Sequence, residues 1–249
     1  MRAMTGALDE ILTDLRAEYG RLDAMLAPLT AAQWAQPSAA EGWTIADVVA
    51  HLALTEEAVV RSAAERGGGL TARAGDLEAD VAGDVTAAGL DGPAALVRWQ
   101  TATAASVPAL AAADPDRPLR WAAAPLKPRT LATTRLAEHW AHGLDLAGPL
   151  GADFTDTARL RHIAWLGHAT LPYAFSLAGL DPVPVRAELV GPHGEAWAFG
   201  PPDAAARITG PAGHFCRVGA HRLAPPDSDL VADGPGAADA LRLLRNWAA

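Results

Sequence analysis

Residues that could bind a metal ion occur in two stretches with helical patterns. Glu138 and His142 are four residues apart, a spacing that puts both side chains on one face of a helix. His51 lies in an apolar run over residues 48–54, which is predicted to form a facing helix. Two imidazoles and one carboxylate are a recurring ligand set for catalytic zinc, whose fourth position stays open to water or substrate. A divalent metal site at His51, Glu138 and His142 is therefore one interpretation of these stretches.

The same residues also have simpler interpretations. A histidine in an apolar helix is often a core residue that has found one hydrogen-bond partner. Arg135, Glu138, His142 and Asp145 follow spacings of three, four and three, and such an ionisable face often points to water. The ligand set suits first-row ions other than zinc as well. Spacing alone therefore decides neither whether a metal is bound nor which metal it is; zinc is the first expectation.

Four predicted helices position these side chains, and together they predict an antiparallel bundle over residues 1–150. The helix that carries His51 begins at Thr44, where Thr44 and Asp47 form a variant capping box. Residues 67–92 are rich in glycine and acids, which predicts a mobile connection with a short helical piece. The other predicted helices are an apolar stripe over residues 8–26, a helix from Pro93 to about residue 110, and a helix over residues 130–147 that ends at Gly148-Pro149.

The pattern changes in the second part of the chain. A helical stretch with a break near Pro172 fills residues 151–181 and is predicted to be a connecting segment. Alternating residues on both sides of the turn at 191–194 predict a β-hairpin, followed by a strand, a helix, a strand and a last helix. The predicted fold class is α+β, with a four-helix bundle followed by a smaller α+β domain over residues 182–249.

Composition excludes several classes of protein. The 249 residues carry a formal net charge of −9 and a single lysine, whereas nucleic-acid binding needs clustered Lys and Arg. No apolar run is long enough to span a bilayer, and the first residues lack the pattern of a signal peptide. The single cysteine, Cys216, excludes an internal disulfide framework. We expect a cytoplasmic protein, monomeric or homodimeric, that acts on a small molecule and binds neither nucleic acid nor membrane.

Two motifs carry a resemblance to a known family: EGWTIADVVAHL at residues 41–52 and RLAEHWAHGLD at residues 135–145. In combination they resemble the DinB-like superfamily, in particular the branch that contains mycothiol-dependent maleylpyruvate isomerase. The resemblance implies a metal-binding four-helix bundle followed by a smaller α+β domain. It also implies that His51, Glu138 and His142 are the metal ligands, whereas His139 has no counterpart and is expected to have a structural role or to support a ligand from behind.

The resemblance further implies an enzyme that uses the thiol mycothiol for isomerisation or S-transfer. Isomerases of this group are thought to hold part of the thiol cofactor in the second domain, where Arg207, Arg217 and Arg222 are candidates. Arg135 is a candidate for orienting a substrate carboxylate, and Asp145 for orienting a ligand imidazole.

Two other functions also fit the residues. One is a metal-dependent hydrolase, lyase or cyclase of secondary metabolism that uses no thiol. The other is a non-catalytic protein that binds a small ligand and whose metal is structural or absent. A fourth protein ligand at the metal would favour this last function, because structural zinc sites are closed.

Overall fold

The structure is a computed structural model that describes residues 2–64, 77–122 and 124–247. It divides into two compact units, one up to Phe154 and one from Thr155. In the first unit the described residues form the helices α1 (Arg2–Leu26), α2 (Ala31–Trp34), α3 (Ile45–Ala63), α4 (Leu77–Ala88), α5 (Gly92–Ala112) and α6 (Pro128–Leu150).

The four long helices α1, α3, α5 and α6 pack against one another around a leucine-rich core. Along α1 the buried side chains recur every three or four residues, as an amphipathic helix requires. These buried positions include Leu8, Ile11, Leu12, Leu15, Leu22 and Leu26. The predicted bundle is confirmed. No helix within the described ranges is both long and apolar enough to cross a membrane.

The start of α3 is fixed by the predicted capping box. The Thr44 hydroxyl accepts a hydrogen bond from the Asp47 backbone N–H at 3.2 Å, and the Asp47 carboxylate accepts one from the Thr44 N–H at 2.9 Å. Two backbone donors at the exposed helix end are thereby satisfied.

The end of α6 differs from the prediction. The helix continues through Gly148 and Pro149 to Leu150, because the left-handed residue that ends it is Gly151, with φ 63°. Proline lacks one N–H donor, but in the last turn of a helix this removes only one bond. Of the predicted connection over residues 67–92, residues 67–76 lie outside the described residues, and the described part contains α4.

The second unit combines four helices with one sheet in the described residues. Its elements are α7 (Leu160–Ala169), α8 (Leu171–Leu177), β1 (Val185–Val190), β2 (Ala196–Phe199), β3 (Ala206–Pro211), α9 (Ala212–Gly219), a 3-10 turn at Pro225–Asp227, β4 (Val231–Asp233) and α10 (Ala237–Leu243). The strand order is β2-β1-β3-β4, with β1 antiparallel to β2 and parallel to β3, and β4 antiparallel to β3. The predicted hairpin, its partner strands and the predicted fold class are confirmed.

The break predicted near Pro172 separates α7 from α8. Both helices lie in residues 151–181, for which the sequence predicts a connecting segment. In the structure α7 packs against α9 and β2, and α8 packs against α10, so this segment contributes to the second unit.

Candidate metal centre

Three side chains from two bundle helices converge in the first unit. His51 Nε2, from α3, lies 2.8 Å from Glu138 Oε1, from α6. His142 Nε2 lies 3.5 Å from the same oxygen, and the three ligand atoms lie within 4.8 Å of one another. Tetrahedral bonds of about 2.0–2.1 Å place two ligand atoms about 3.3 Å apart. The cluster therefore has the dimensions and donor atoms that a divalent ion needs; that it holds one remains a prediction.

Access to the cluster is from the side of Glu138. The side chains of His51 and His142 are 10 % and 13 % exposed, whereas that of Glu138 is 30 % exposed. The Trp43 ring lies 5.0 Å from the His51 ring, and 6.3 Å from the His142 ring with the two planes only 19° apart. The indole thus forms a wall beside both imidazoles.

The loop before α3 holds Trp43 in this place. The Ser38 backbone N–H and hydroxyl both donate to the Trp43 carbonyl oxygen, each at 2.8 Å. The Ala39 N–H donates to the backbone carbonyl of Asp145 at 2.9 Å, which fastens the loop to α6. The wall is therefore attached to the helix that carries Glu138 and His142.

Asp145 orients His142. The His142 Nδ1–H donates to a carboxylate oxygen of Asp145 at 2.9 Å, which leaves Nε2 facing Glu138. Burial would lower the pKa of His142, but the hydrogen bonds with Asp145 and Glu138 outweigh it and raise this pKa to about 9. A carboxylate behind a ligand imidazole is the usual arrangement at protein metal sites. The interpretation of Asp145 as the orienting residue agrees with this geometry.

The protonation states of Glu138 and His51 suit an ion, whereas His142, with its pKa raised to about 9, must lose a proton to bind one. Burial disfavours a charged Glu138, yet hydrogen bonds from both imidazoles hold its pKa well below the ordinary value, so it is a carboxylate. Burial lowers the pKa of His51, although its hydrogen bond with Glu138 acts the other way, so a neutral imidazole is favoured. His51 Nδ1 is buried, with no hydrogen-bond partner among the described residues.

The described part of the chain adds no fourth His, Cys, Asp or Glu to this group. Gly143, directly after His142, is required by packing: a Cβ there would lie 2.2 Å from Cζ of Phe154. The glycine of the second motif thus lets the Phe154 ring lie against α6.

Comparison with known proteins decides the family. The family model of the mycothiol maleylpyruvate isomerase N-terminal domain matches residues 15–147, which is more than half of the chain. The chain belongs to this family. The matched range contains His51, Glu138 and His142, and the resemblance inferred from the two motifs is confirmed.

Comparison with individual proteins shows that the similarity extends beyond the bundle to most of the chain. Proteins from two strains of Mycobacterium tuberculosis, CDC 1551 / Oshkosh and H37Rv, both described as uncharacterized, are 38 % identical over 243 residues, which is 95 % of each chain. A crystal structure of the mycothiol-dependent maleylpyruvate isomerase matches with a TM-score of 0.63 at 18 % identity, covering 92 % of this chain and 96 % of that one. A variant of that enzyme with one histidine replaced by alanine matches with a TM-score of 0.60 at 17 % identity and the same coverage. At these identities the structures show a shared fold.

In this family member, His139 points away from the cluster. Its Nε2 accepts a hydrogen bond from the Trp99 indole N–H at 3.0 Å, so Nδ1 carries the proton and donates to the Arg135 carbonyl at 2.8 Å. Burial lowers the pKa of His139 to about 4, so the ring is neutral. The structural role expected for His139 agrees with this geometry.

The position of Arg135 differs from that expected of a residue that orients a substrate carboxylate. Its side chain is 3 % exposed and forms an ion pair with Glu56, with Nε and Oε1 2.8 Å apart. A guanidinium that is buried and already paired is not open to a substrate carboxylate, so that interpretation is wrong. Glu56 follows His51 by five residues, and nothing in the sequence indicates that it faces inward.

The three candidate arginines of the second unit have partners within that unit. Arg217 forms two hydrogen bonds of 2.8 Å with Asp156, and Arg207 binds Glu188 at 3.1 Å. Arg222 donates to the carbonyl of Ala220 at 2.8 Å. The geometry gives none of the three a distinguishing role toward a thiol cofactor.

Proposed function

We propose that the chain is a metal-dependent enzyme that uses mycothiol to isomerise a small electrophilic molecule or to transfer sulfur to it. The observation that carries the proposal is the convergence of His51, Glu138 and His142 in a member of the mycothiol maleylpyruvate isomerase N-terminal domain family. The shared fold with mycothiol-dependent maleylpyruvate isomerase over 92 % of the chain supports it.

The imidazoles of His51 and His142 and a carboxylate oxygen of Glu138 would hold a divalent ion, with zinc as the first candidate. Such an ion supplies a Lewis acid that lowers the pKa of a water or thiol in its remaining position. Asp145 would keep the His142 imidazole turned toward the ion, and Trp43 covers one side of the cluster. A group of three protein ligands among the described residues favours a catalytic ion over a structural one, since structural zinc has four.

The cysteine of the chain cannot supply the thiol. Cys216 is the single cysteine, is fully buried, and its Sγ faces the Leu160 carbonyl at 3.6 Å. Thiol chemistry therefore requires a thiol from outside the chain. An external thiolate that adds to a conjugated double bond and leaves after rotation causes isomerisation, whereas one that displaces a leaving group causes S-transfer. Both reactions regenerate the protein unchanged.

Elemental analysis and calorimetry test the proposal in sequence. We expect about one zinc per purified chain, and its loss in His51→Ala, Glu138→Ala and His142→Ala variants that keep their helical content. Mycothiol titrated into the zinc-loaded protein in two buffers of different ionisation enthalpy should release close to one proton, since a thiol with a pKa of about 8.5 binds a metal as the thiolate. S-methyl mycothiol, which has no such proton, is the matched control.

The outcomes separate the parts of the proposal. Stoichiometric metal in any two of the three alanine variants refutes the ligand assignment. A zinc-loaded protein for which mycothiol gives neither heat nor a shift in melting temperature refutes the thiol. An enzyme based on metal-bound water would then be the better description.

A further inference from the structure

A buried polar layer lies next to the candidate metal centre. It consists of Tyr19 on α1, Glu56 on α3, Trp99 on α5, and Arg135 and His139 on α6. All five side chains are buried, with exposed fractions between 0 and 7 %. Every long helix of the bundle therefore contributes to the layer. Since buried polar groups are costly, their presence in a leucine-rich core requires a reason.

One contact in the layer ties α6 directly to α3. Arg135 Nε donates to Glu56 Oε1 at 2.8 Å, and Arg135 Nη2 donates to the Thr55 hydroxyl at 2.9 Å. Arg135 is three residues before Glu138, and Thr55 is four residues after His51. The two bonds therefore lie about one helical turn from the metal ligands on both helices. Because they reach two successive residues of α3, they restrain both the sliding and the rotation of α6.

The other side of α6 is restrained by His139. This ring accepts a hydrogen bond from Trp99 on α5 and lies 4.6 Å from the Tyr19 ring on α1, edge to face. The helix that carries Glu138 and His142 is thus held against each of its three neighbours in the bundle. Apolar contacts do not determine rotation in this way, because they are not directional.

A small rotation of α6 would be enough to spoil a metal site. A side-chain tip lies about 5–6 Å from the helix axis, so a rotation of about 20° moves it by about 2 Å. Metal–ligand distances tolerate deviations of about 0.2 Å. Directional hydrogen bonds between helices restrain this rotation in addition to the packing of the core side chains.

We infer that Glu56 and Arg135 are positioning residues of the candidate metal centre, because their ion pair holds α6 in the rotation and axial position at which Glu138 and His142 meet His51. The inference rests on the proposed metal-dependent function. Stability does not account for the pair equally well, since apolar residues of similar volume often give a buried site the same or greater stability.

A double variant tests the inference. Glu56→Leu combined with Arg135→Met removes both charges, keeps the volume apolar and leaves no unpaired buried charge. The matched control is Glu57→Leu with Arg98→Met. It removes the ion pair between Arg98 and Glu57, the residue that follows Glu56 on α3. That pair has contacts of 2.6 and 2.9 Å but links α3 to α5 instead of α6. Both variants are compared with the wild type by circular dichroism and by titration with Co²⁺, whose visible spectrum reports its coordination.

We expect the first double variant to keep its helical content and to bind Co²⁺ about tenfold or more weakly, with an altered spectrum. The control should match the wild type in both measurements. Arg135→Lys covers the case in which the double variant fails to fold. One ammonium cannot hold both Glu56 and Thr55 as the guanidinium does, so a smaller loss of affinity is expected in a folded protein. Unchanged affinity and spectrum in a folded Glu56→Leu/Arg135→Met or Arg135→Lys variant would overturn the inference.

Failure of the proposed function gives a different result. If the wild type binds no metal, two crystal structures still decide the inference. They are those of the metal-free wild type and of Glu56→Leu/Arg135→Met, or of Arg135→Lys if the double variant does not fold. The separation of His51 Nε2 and Glu138 Oε1, 2.8 Å in the present structure, should lengthen in the variant. The same separation in both proteins would refute a positioning role.

Discussion

The His142 imidazole donates a hydrogen bond from Nδ1 to the Asp145 carboxylate, and the backbone carbonyl of Asp145 accepts another from Ala39, both at 2.9 Å. One buried residue thus connects a candidate metal ligand with the loop that carries Trp43. Its side chain sets the orientation of the imidazole, and its main chain sets the position of the wall beside it. A substitution at Asp145 should therefore change the geometry of the candidate metal centre more than the packing of the bundle.

The first prediction concerns this carboxylate. Asp145→Asn should lower the affinity for zinc by about 10- to 100-fold, because residues behind metal-binding histidines typically contribute that much. A competition titration against a chromophoric chelator measures the effect. Asp153→Asn is the control, since Asp153 is an exposed carboxylate in the same unit. Equal affinities in the two variants would contradict the role given to Asp145.

The second prediction separates His139 from the metal. His139→Leu should still bind one zinc per chain, because both ring nitrogens of His139 are engaged by Trp99 and Arg135 instead of the cluster. The variant should lose about 1–3 kcal/mol of unfolding free energy, since the buried indole N–H of Trp99 is left without an acceptor. Urea unfolding and elemental analysis test both parts. A folded His139→Leu protein without zinc would contradict this prediction.

The third prediction uses Trp43 as a reporter. Its indole lies 5.0 Å from the His51 ring, so a bound Cu²⁺ or Co²⁺ ion should quench its fluorescence efficiently. In Trp43→Phe the fraction of tryptophan fluorescence quenched at saturation should fall, although the ion still binds. Zn²⁺, which has a filled d shell, is the control ion. Undiminished quenching in the variant would place the bound ion elsewhere.

The fourth prediction concerns Cys216. Burial raises the pKa of its thiol well above the ordinary value, so it stays protonated at pH 9, where an exposed cysteine is largely thiolate. Labelling of the native protein with iodoacetamide should therefore be slow at both pH 7 and pH 9. It should become fast at pH 9 once urea unfolds the chain. Rapid labelling of the native protein at pH 9 would show that the thiol is accessible.

Local sequence features predicted much of the fold. The leucine stripe of α1, the capping box at Thr44 and the turn of the hairpin each depend on residues a few positions apart, and the structure has all three. The end of α6 was misplaced because two glycines, Gly148 and Gly151, compete for the same role. Only the second has a positive φ.

The candidate metal centre was predicted less completely. Glu138 and His142 follow from their spacing on one helix, and His51 follows from its place in the apolar run of a facing helix; the motif resemblance supports all three. The pairing of Arg135 with Glu56 could not be found in this way, because 79 residues separate them and no periodicity relates the two positions. From sequence alone, an ionisable residue on a helix is predicted to face solvent unless a partner on another helix is known.

The wide sequence separation of the partners in the candidate metal centre and in the polar layer also bears on folding. His51 and Glu138 are 87 residues apart, and Arg135 and Glu56 are 79 apart, so these contacts close long loops. Long-range contacts slow folding, because the entropy of loop closure is lost before the contacts form. On the ribosome, the helix with His51 is complete well before α6 has been synthesised. The candidate metal centre of a nascent chain therefore cannot form until the last bundle helix has emerged and docked.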